Sequence, residues 1–153
     1  MKHYTGEDWF DEGAKYLRND YYTEAFQRFK KSADQGYPGG YFAVGLFYYE
    51  GAEPVSKNYA TAVAYFKRAS NSGWEGANAY LARCYWNGEG VNTDRTRAKD
   101  YARRAGDEGR ELLSQMYRIE QAERENESSE FWEAFWGNFA IGFLDGFIRG
   151  LSE

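Results

Sequence analysis

The sequence is poor in the residues that most often carry chemistry. Its 153 residues include one cysteine, Cys84, and one histidine, His3. A lone cysteine forms neither an intrachain disulfide nor a thiolate zinc site. A single imidazole so near the start removes most histidine-based catalysis, Ser–His–Asp and Cys–His arrangements included. Proline is scarce as well, limited to Pro38 and Pro54, so long helices are permitted almost everywhere. No run of apolar residues is long enough to span a bilayer; the nearest approach, 131–151, is interrupted by Glu133, Asn138, Asp145 and Arg149. Met1 to Glu12 has no apolar stretch of the length an export signal needs, so the expected compartment is the cytoplasm. Positive charge is also short: the net charge is −5 and the pI about 5.1, which argues against a nucleic-acid partner.

What is present describes one soluble globular chain with bulky packing residues: 42% hydrophobic, 20% aromatic and 28% charged. Its organisation comes from internal repetition. The segments 25–36 (AFQRFKKSADQG), 62–73 (AVAYFKRASNSG) and 98–109 (AKDYARRAGDEG) each open on alanine, carry a basic pair at the same offset and close on glycine. Their spacings are 37 and 36 residues. The pattern predicts three equivalent second helices, ended by Gly36, Gly73 and Gly109 as left-handed caps. The segments between them repeat too. Val44, Phe47 and Tyr48 match Leu81, Cys84 and Tyr85, and then Leu113, Met116 and Tyr117, each set forming one helical face. Gly45 and Ala82 are small residues where two helices are expected to approach closely, and Gly51 and Gly88 are expected to end their helices. The closing glycine stands eight positions before the apolar lead residue twice, but Gly109 stands only four before Leu113, which predicts a shortened last junction.

At these residues the chain resembles the tetratricopeptide repeat and its close relative, the Sel-like repeat. Trp9, Gly13, Tyr16, Ala25 and Phe29 sit at the tetratricopeptide spacing, with Asn19-Asp20-Tyr21 as the inter-helix turn. Gly88-Glu89-Gly90-Val91-Asn92-Thr93-Asp94 matches the Sel-like loop G-x-G-V-x-x-D. The loop from Gly51 to Asn58 departs from it by one inserted residue and by Asn58 in place of the aspartate. The resemblance, which spans 8–117, implies an all-α, right-handed α-solenoid of antiparallel helix pairs. It also implies a non-catalytic adaptor or scaffold, because stacked helix pairs make a concave surface that holds a peptide or a partner's helix. The expected organisation is a repeat domain over 1–117, with units at 7–37, 38–74 and 75–110 and a partial unit at 111–117. A charged segment at 118–130 and a C-terminal helix at 131–153 follow.

Little else suggests catalysis, a cofactor or a metal. Cys84 falls at the core-facing position of Phe47 and Met116, where a thiol acts as a small apolar residue. The basic pairs Lys30-Lys31, Lys67-Arg68 and Arg103-Arg104 are interleaved with Asp34, Asp100, Asp107 and Glu108, and residues 1–110 balance at 16 positive against 15 negative charges. They read as a salt-laced outer face and not as a phosphate site. Among the aromatics, those in register (Tyr48, Tyr85, Tyr117) are expected in the core. Tyr41, Tyr49 and Trp86 are out of register and become candidates to line a protein-binding groove.

The acidity of the chain lies behind the repeats, with nine acidic and three basic residues over 111–153. On a helical wheel, 131–151 has a broad apolar face that includes Phe131, Trp132, Phe135, Trp136, Phe139, Phe143 and Phe147. Gly142, Gly146 and Gly150 form a glycine ladder along one edge of it. Each helical glycine costs about 1 kcal/mol relative to alanine, so such a helix needs close packing against something. Three readings fit: folding back in cis, docking on a partner protein or a second copy of the chain, and insertion into a membrane with the repeats as soluble head. The candidate contact residues are Trp132, Phe135, Trp136, Phe139, Gly142, Phe143, Gly146, Phe147 and Gly150.

Overall fold

The computed structural model describes residues 2–124. The helices among them are α1 (Gly6–Arg18), α2 (Tyr22–Asp34), α3 (Pro38–Glu50), α4 (Tyr59–Asn71), α5 (Gly76–Asn87), α6 (Arg95–Arg104) and α7 (Gly106–Arg124). The chain divides into two compact units, Met1–Leu113 and Ser114–Glu153. In the first, consecutive helices pack as the pairs α1/α2, α3/α4 and α5/α6. The pairs join through α2 against α3 and α4 against α5. This is an α-solenoid of three helix pairs.

Local chemistry sets the helix limits. Thr5 caps α1 in a reciprocal box, its hydroxyl accepting from the Asp8 N–H at 3.2 Å while Asp8 accepts from the Thr5 N–H at 2.9 Å. Asn58 and Asp94 do the same work at α4 and α6, accepting from Thr61 N–H at 3.0 Å and Arg97 N–H at 2.9 Å. The departure of Asn58 from the loop pattern is therefore chemically silent, since either side chain accepts that bond. Both loops also close on one geometry, with the Asn58 N–H donating to the Tyr48 carbonyl and the Asp94 N–H to that of Tyr85, each at 2.8 Å. Gly51 and Gly88 end α3 and α5 in the left-handed conformation.

One cap differs from expectation. Gly36 and Gly73 follow α2 and α4 with positive φ, but after α6 that role falls to Gly106, at φ 62°. Gly109 lies inside α7, so close to α6 that an added Cβ would meet the Ala102 carbonyl. α6 therefore has 10 residues where α2 and α4 have 13, a loss of about one turn. The last junction is short because the helix before it is short.

The core is a line of rings. Phe66 sits 5.9 Å from Phe42, 5.9 Å from Tyr49 and 5.0 Å from Tyr80, and it is fully buried. Trp74 reaches back to Phe10 at 5.8 Å and to Phe42 at 5.9 Å, joining the first pair to the second. Two glycines make room for this. A Cβ at Gly13 would stand 2.7 Å from the Phe29 ring, and one at Gly45 would stand 2.7 Å from the Phe66 ring. In α5 and α6 the positions equivalent to Gly45 and Phe66 hold Ala82 and Ala102, both fully buried, so the helix that gains a methyl group faces one that has lost a ring.

α7 departs from the repeat register. Its buried residues include Leu112, Met116 and Ile119, while Tyr117 is 47% exposed and Leu113 half-buried. The buried spacing of four and then three residues is a helical face, turned by about one residue from the face that Val44 and Leu81 define. The expectation that Tyr117 is core is corrected accordingly.

Candidate partner-binding surface

Two positions of the repeat build a ladder along one edge of the solenoid. The first, three residues after the small residue of the first helix, holds Tyr16, Tyr48 and Tyr85. The second, three residues after the leading alanine of the second helix, holds Arg28, Tyr65 and Tyr101. Each pair stacks. The Arg28 guanidinium lies 5.3 Å over the Tyr16 ring, and Tyr48 and Tyr65 stack at 6.1 Å and 10°. Tyr85 and Tyr101 stack at 5.5 Å and 11°. Between rungs stand cations. Lys30 donates to the Tyr65 hydroxyl at 3.0 Å, and Lys67 lies 5.6 Å over the Tyr85 ring. The hydrogen bond to Tyr65 is the largest influence on Lys30 and holds its ammonium above the ordinary lysine range against some loss of hydration. Apart from Tyr85, which is 4% exposed, the ladder rings are half-buried and present an edge to solvent.

At the N-terminal end the same edge opens into a cleft of about 300 Å³ lined by Glu12, Lys15, Tyr16, Asn19 and Tyr21. Glu12 is held by Arg28 at 2.8 Å, and Tyr21 and Tyr22 are exposed beside it. Trp9 completes this end, with Tyr4 stacked on it at 4.5 Å and the Lys31 ammonium 4.2 Å from its ring.

The groove candidates fare differently. Tyr41 is half-buried, with the Arg68 guanidinium 5.8 Å over its ring. Tyr49 and Trp86, by contrast, are core residues, 2% and 6% exposed. Tyr49 is enclosed by Tyr59, Phe66 and Tyr80 at 5.1–5.9 Å, and its hydroxyl donates to Glu89 Oε2 at 2.6 Å. Burial pushes that phenol far above its ordinary range. The physical reason is that α3 and α5 are buried on almost every side, so out-of-register residues there meet neighbours as well. The tail candidates Trp132, Phe135, Trp136, Phe139, Gly142, Phe143, Gly146, Phe147 and Gly150 lie outside the described residues. The ladder is not among the sequence expectations: they place Tyr48 in the core, where it is half-buried, and give no role to Arg28, Tyr65 and Tyr101. Their shared offset from Ala25, Ala62 and Ala98 was the available signal.

A polar cluster joins the ends of α3 and α5 to the loop after α5. The Arg83 guanidinium stands 5.2 Å over the Tyr49 ring, with its Nε 3.7 Å from Glu89 Oε2. Burial raises the Glu50 carboxyl above the ordinary range, against the opposing pull of Arg83 and Lys57. Cys84 is fully enclosed, and burial pushes its thiol up to about 12. Among the described residues no group of histidine, cysteine, aspartate and glutamate is arranged to hold a metal ion, and no helix is long and apolar enough to cross a membrane.

The Sel1 repeat model matches residues 3–37, 38–74 and 76–109, well over half of the chain. This protein belongs to the Sel1 repeat family. Among solved structures, a Sel1 repeat protein from Oxalobacter formigenes is 25% identical with a TM-score of 0.64, over 72% of this chain and 88% of that one. A protective antigen of uropathogenic Escherichia coli strains, displaying an SLR fold, is 28% identical with a TM-score of 0.67 over 73% of this chain. This chain spans only 26% of that antigen's length. No curated protein sequence matches it. The three Sel1 repeats coincide with the helix pairs α1/α2, α3/α4 and α5/α6, and each contributes one rung of the ladder.

Proposed function

We propose that this Sel1 repeat protein is a non-catalytic adaptor that binds a partner protein along its tyrosine ladder. The observation that carries the proposal is the stacked pair that recurs at one place in every repeat, with at least one half-buried member in each. Rings already held by stacking lose little entropy on binding, and tyrosine combines large contact area with a polar tip. Repetition at the repeat pitch suits an extended segment of a partner, which touches successive rungs as it runs along the solenoid. Tyr41, half-buried with Arg68 over its ring, is a secondary contact. The C-terminal segment is the second binding element on the strength of its sequence: Trp132, Phe135, Trp136, Phe139, Phe143 and Phe147 on one face, edged by Gly142, Gly146 and Gly150.

The test is affinity capture from the producing cells with the full chain and with the triple variant Arg28→Ser, Tyr65→Ser, Tyr101→Ser. Matched melting curves establish that the variant is folded. The proposal requires that a partner retained stoichiometrically by the parent chain be lost from the variant. Equal retention by both removes the ladder from the account.

A further inference from the structure

The junction between the second and third Sel1 repeats holds a cleft of about 280 Å³ lined by Lys67, Tyr85, Arg97, Asp100, Tyr101 and Arg104. Three of these side chains are cationic and one is acidic. The acid is engaged elsewhere, since Asp100 accepts from Arg103 at 2.6 Å. Arg97 turns its Nε toward Asp94 at 3.7 Å and its Nη1 toward the Tyr85 hydroxyl at 3.4 Å. Arg104 lies 5.6 Å over the Tyr101 ring, and Lys67 lies 5.6 Å over that of Tyr85. Asp94 answers Arg97 alone, and the rings and one phenol oxygen that meet Lys67 and Arg104 are weak partners for full charges, so the positive charge of the cleft is incompletely answered.

The repeat supplies its own control. At the preceding junction the equivalent cation is Lys30, which is answered by Asp34 at 3.8 Å, one turn along the same helix. The residue one turn beyond Lys67 is Asn71, so that carboxylate is missing. The position of Arg97 is occupied one repeat earlier by Thr61. The second-helix lysine is thus answered by a carboxylate at the first junction and not at the second. The expectation of a salt-laced outer face holds for Lys30 with Asp34, Arg103 with Asp100 and Arg110 with Asp107. Among the described residues no carboxylate lies within ion-pair distance of Lys67 or Arg104.

We infer that this cleft is a binding site for a phosphoryl dianion, held by Lys67, Arg97 and Arg104. Two guanidinium groups and one ammonium around a single small cleft suit three acceptor oxygens, and the lining's net charge of +2 matches a dianion better than a lone carboxylate. The stacked Tyr85 and Tyr101 rings form one wall and fix where the cations rest. The cleft shares Lys67, Tyr85 and Tyr101 with the third rung of the ladder, yet the inference does not rest on the adaptor reading, because phosphate binding is measured on the chain with no partner present.

The experiment is a titration of the full chain with inorganic phosphate, followed through the arginine Nε–H signals in proton–nitrogen spectra at pH 7.5 and fixed ionic strength. Saturable shifts of the Arg97 and Arg104 signals are expected. Arg97→Thr, which installs the residue of the preceding repeat at an exposed position, should weaken the apparent affinity at least about tenfold. Arg104→Gln should do likewise, with unchanged melting curves for both. A parallel titration with acetyl-phosphoserine amide separates the sources: binding of both ligands assigns the cleft to phosphate monoesters, and binding of inorganic phosphate alone assigns it to the free ion. Shifts that chloride reproduces at equal ionic strength, or that survive Arg97→Thr, overturn the inference.

Discussion

Replacing Gly45 by alanine should destabilise the protein, although alanine is the better helix former. The substitution gains about 1 kcal/mol in intrinsic helix propensity. Against that, the new Cβ would stand 2.7 Å from the Phe66 ring, which is fully buried with Phe42, Tyr49 and Tyr80 around it. A ring so enclosed has nowhere to go, and overpacking of this kind costs about 1–3 kcal/mol. The net expectation is a loss of about 0–2 kcal/mol. The second half of the prediction is sharper. Phe66→Ala copies the third repeat, where Ala82 and Ala102 hold the two positions, and in that background Gly45→Ala should become stabilising. The sign change amounts to a coupling of about 1–3 kcal/mol between the two sites. Urea unfolding of the four proteins, monitored by circular dichroism, measures it. Additivity within about 0.5 kcal/mol, or stabilisation of the parent chain by Gly45→Ala, refutes the close-approach argument.

Further outcomes follow from buried polar groups. Asn78, 6% exposed, accepts from the Ser70 hydroxyl at 2.6 Å and donates to the Arg104 carbonyl at 3.1 Å. Asn78→Ala strands both partners and should cost about 1–3 kcal/mol in the same urea assay. Cys84 should react with a thiol reagent at pH 8 at least about a hundredfold more slowly in the folded chain than in urea, because burial holds the proton on the thiol. That group also makes the fold less stable as pH rises past its ordinary 9.0, where only the unfolded chain loses the proton. Glu50 behaves in the complementary way on the acid side. Its folded carboxyl titrates above the ordinary 4.5, so its burden on stability is present at pH 7 and is relieved as pH falls through the folded value. Glu50→Gln should therefore melt higher than the parent at pH 7, with the gap closing toward pH 4.5.

The fold was legible because its determinants repeat. Leading alanines, basic pairs and loop glycines recur at 37 and 36 residues, and three copies of a weak signal make a strong one. The misplaced residues have separate causes. Gly109 aligns with Gly36 and Gly73 in sequence, yet Gly106 closes the third pair because α6 is a turn shorter. Alignment by spacing cannot see a helix that stops early when a second glycine stands three residues before the expected one. Tyr49 and Trp86 were assigned outward by helical periodicity, which presumes one buried face. A helix in the middle of a stack has neighbours on several sides, and a residue off the main face is buried too. The ladder escaped notice for the converse reason. Its rungs pair a residue of one helix with a residue of the next, a contact that the periodicity of a single helix does not report.

The central claim, that a partner lies along the ladder, is tested most directly by photo-crosslinking in the producing cells. A benzophenone amino acid is placed at position 65, at position 101 and, as a control, at the exposed loop position 53. The account predicts a discrete crosslinked species from 65 and 101 and none from 53. A species that forms from 53 alone, or equally from all three, contradicts it.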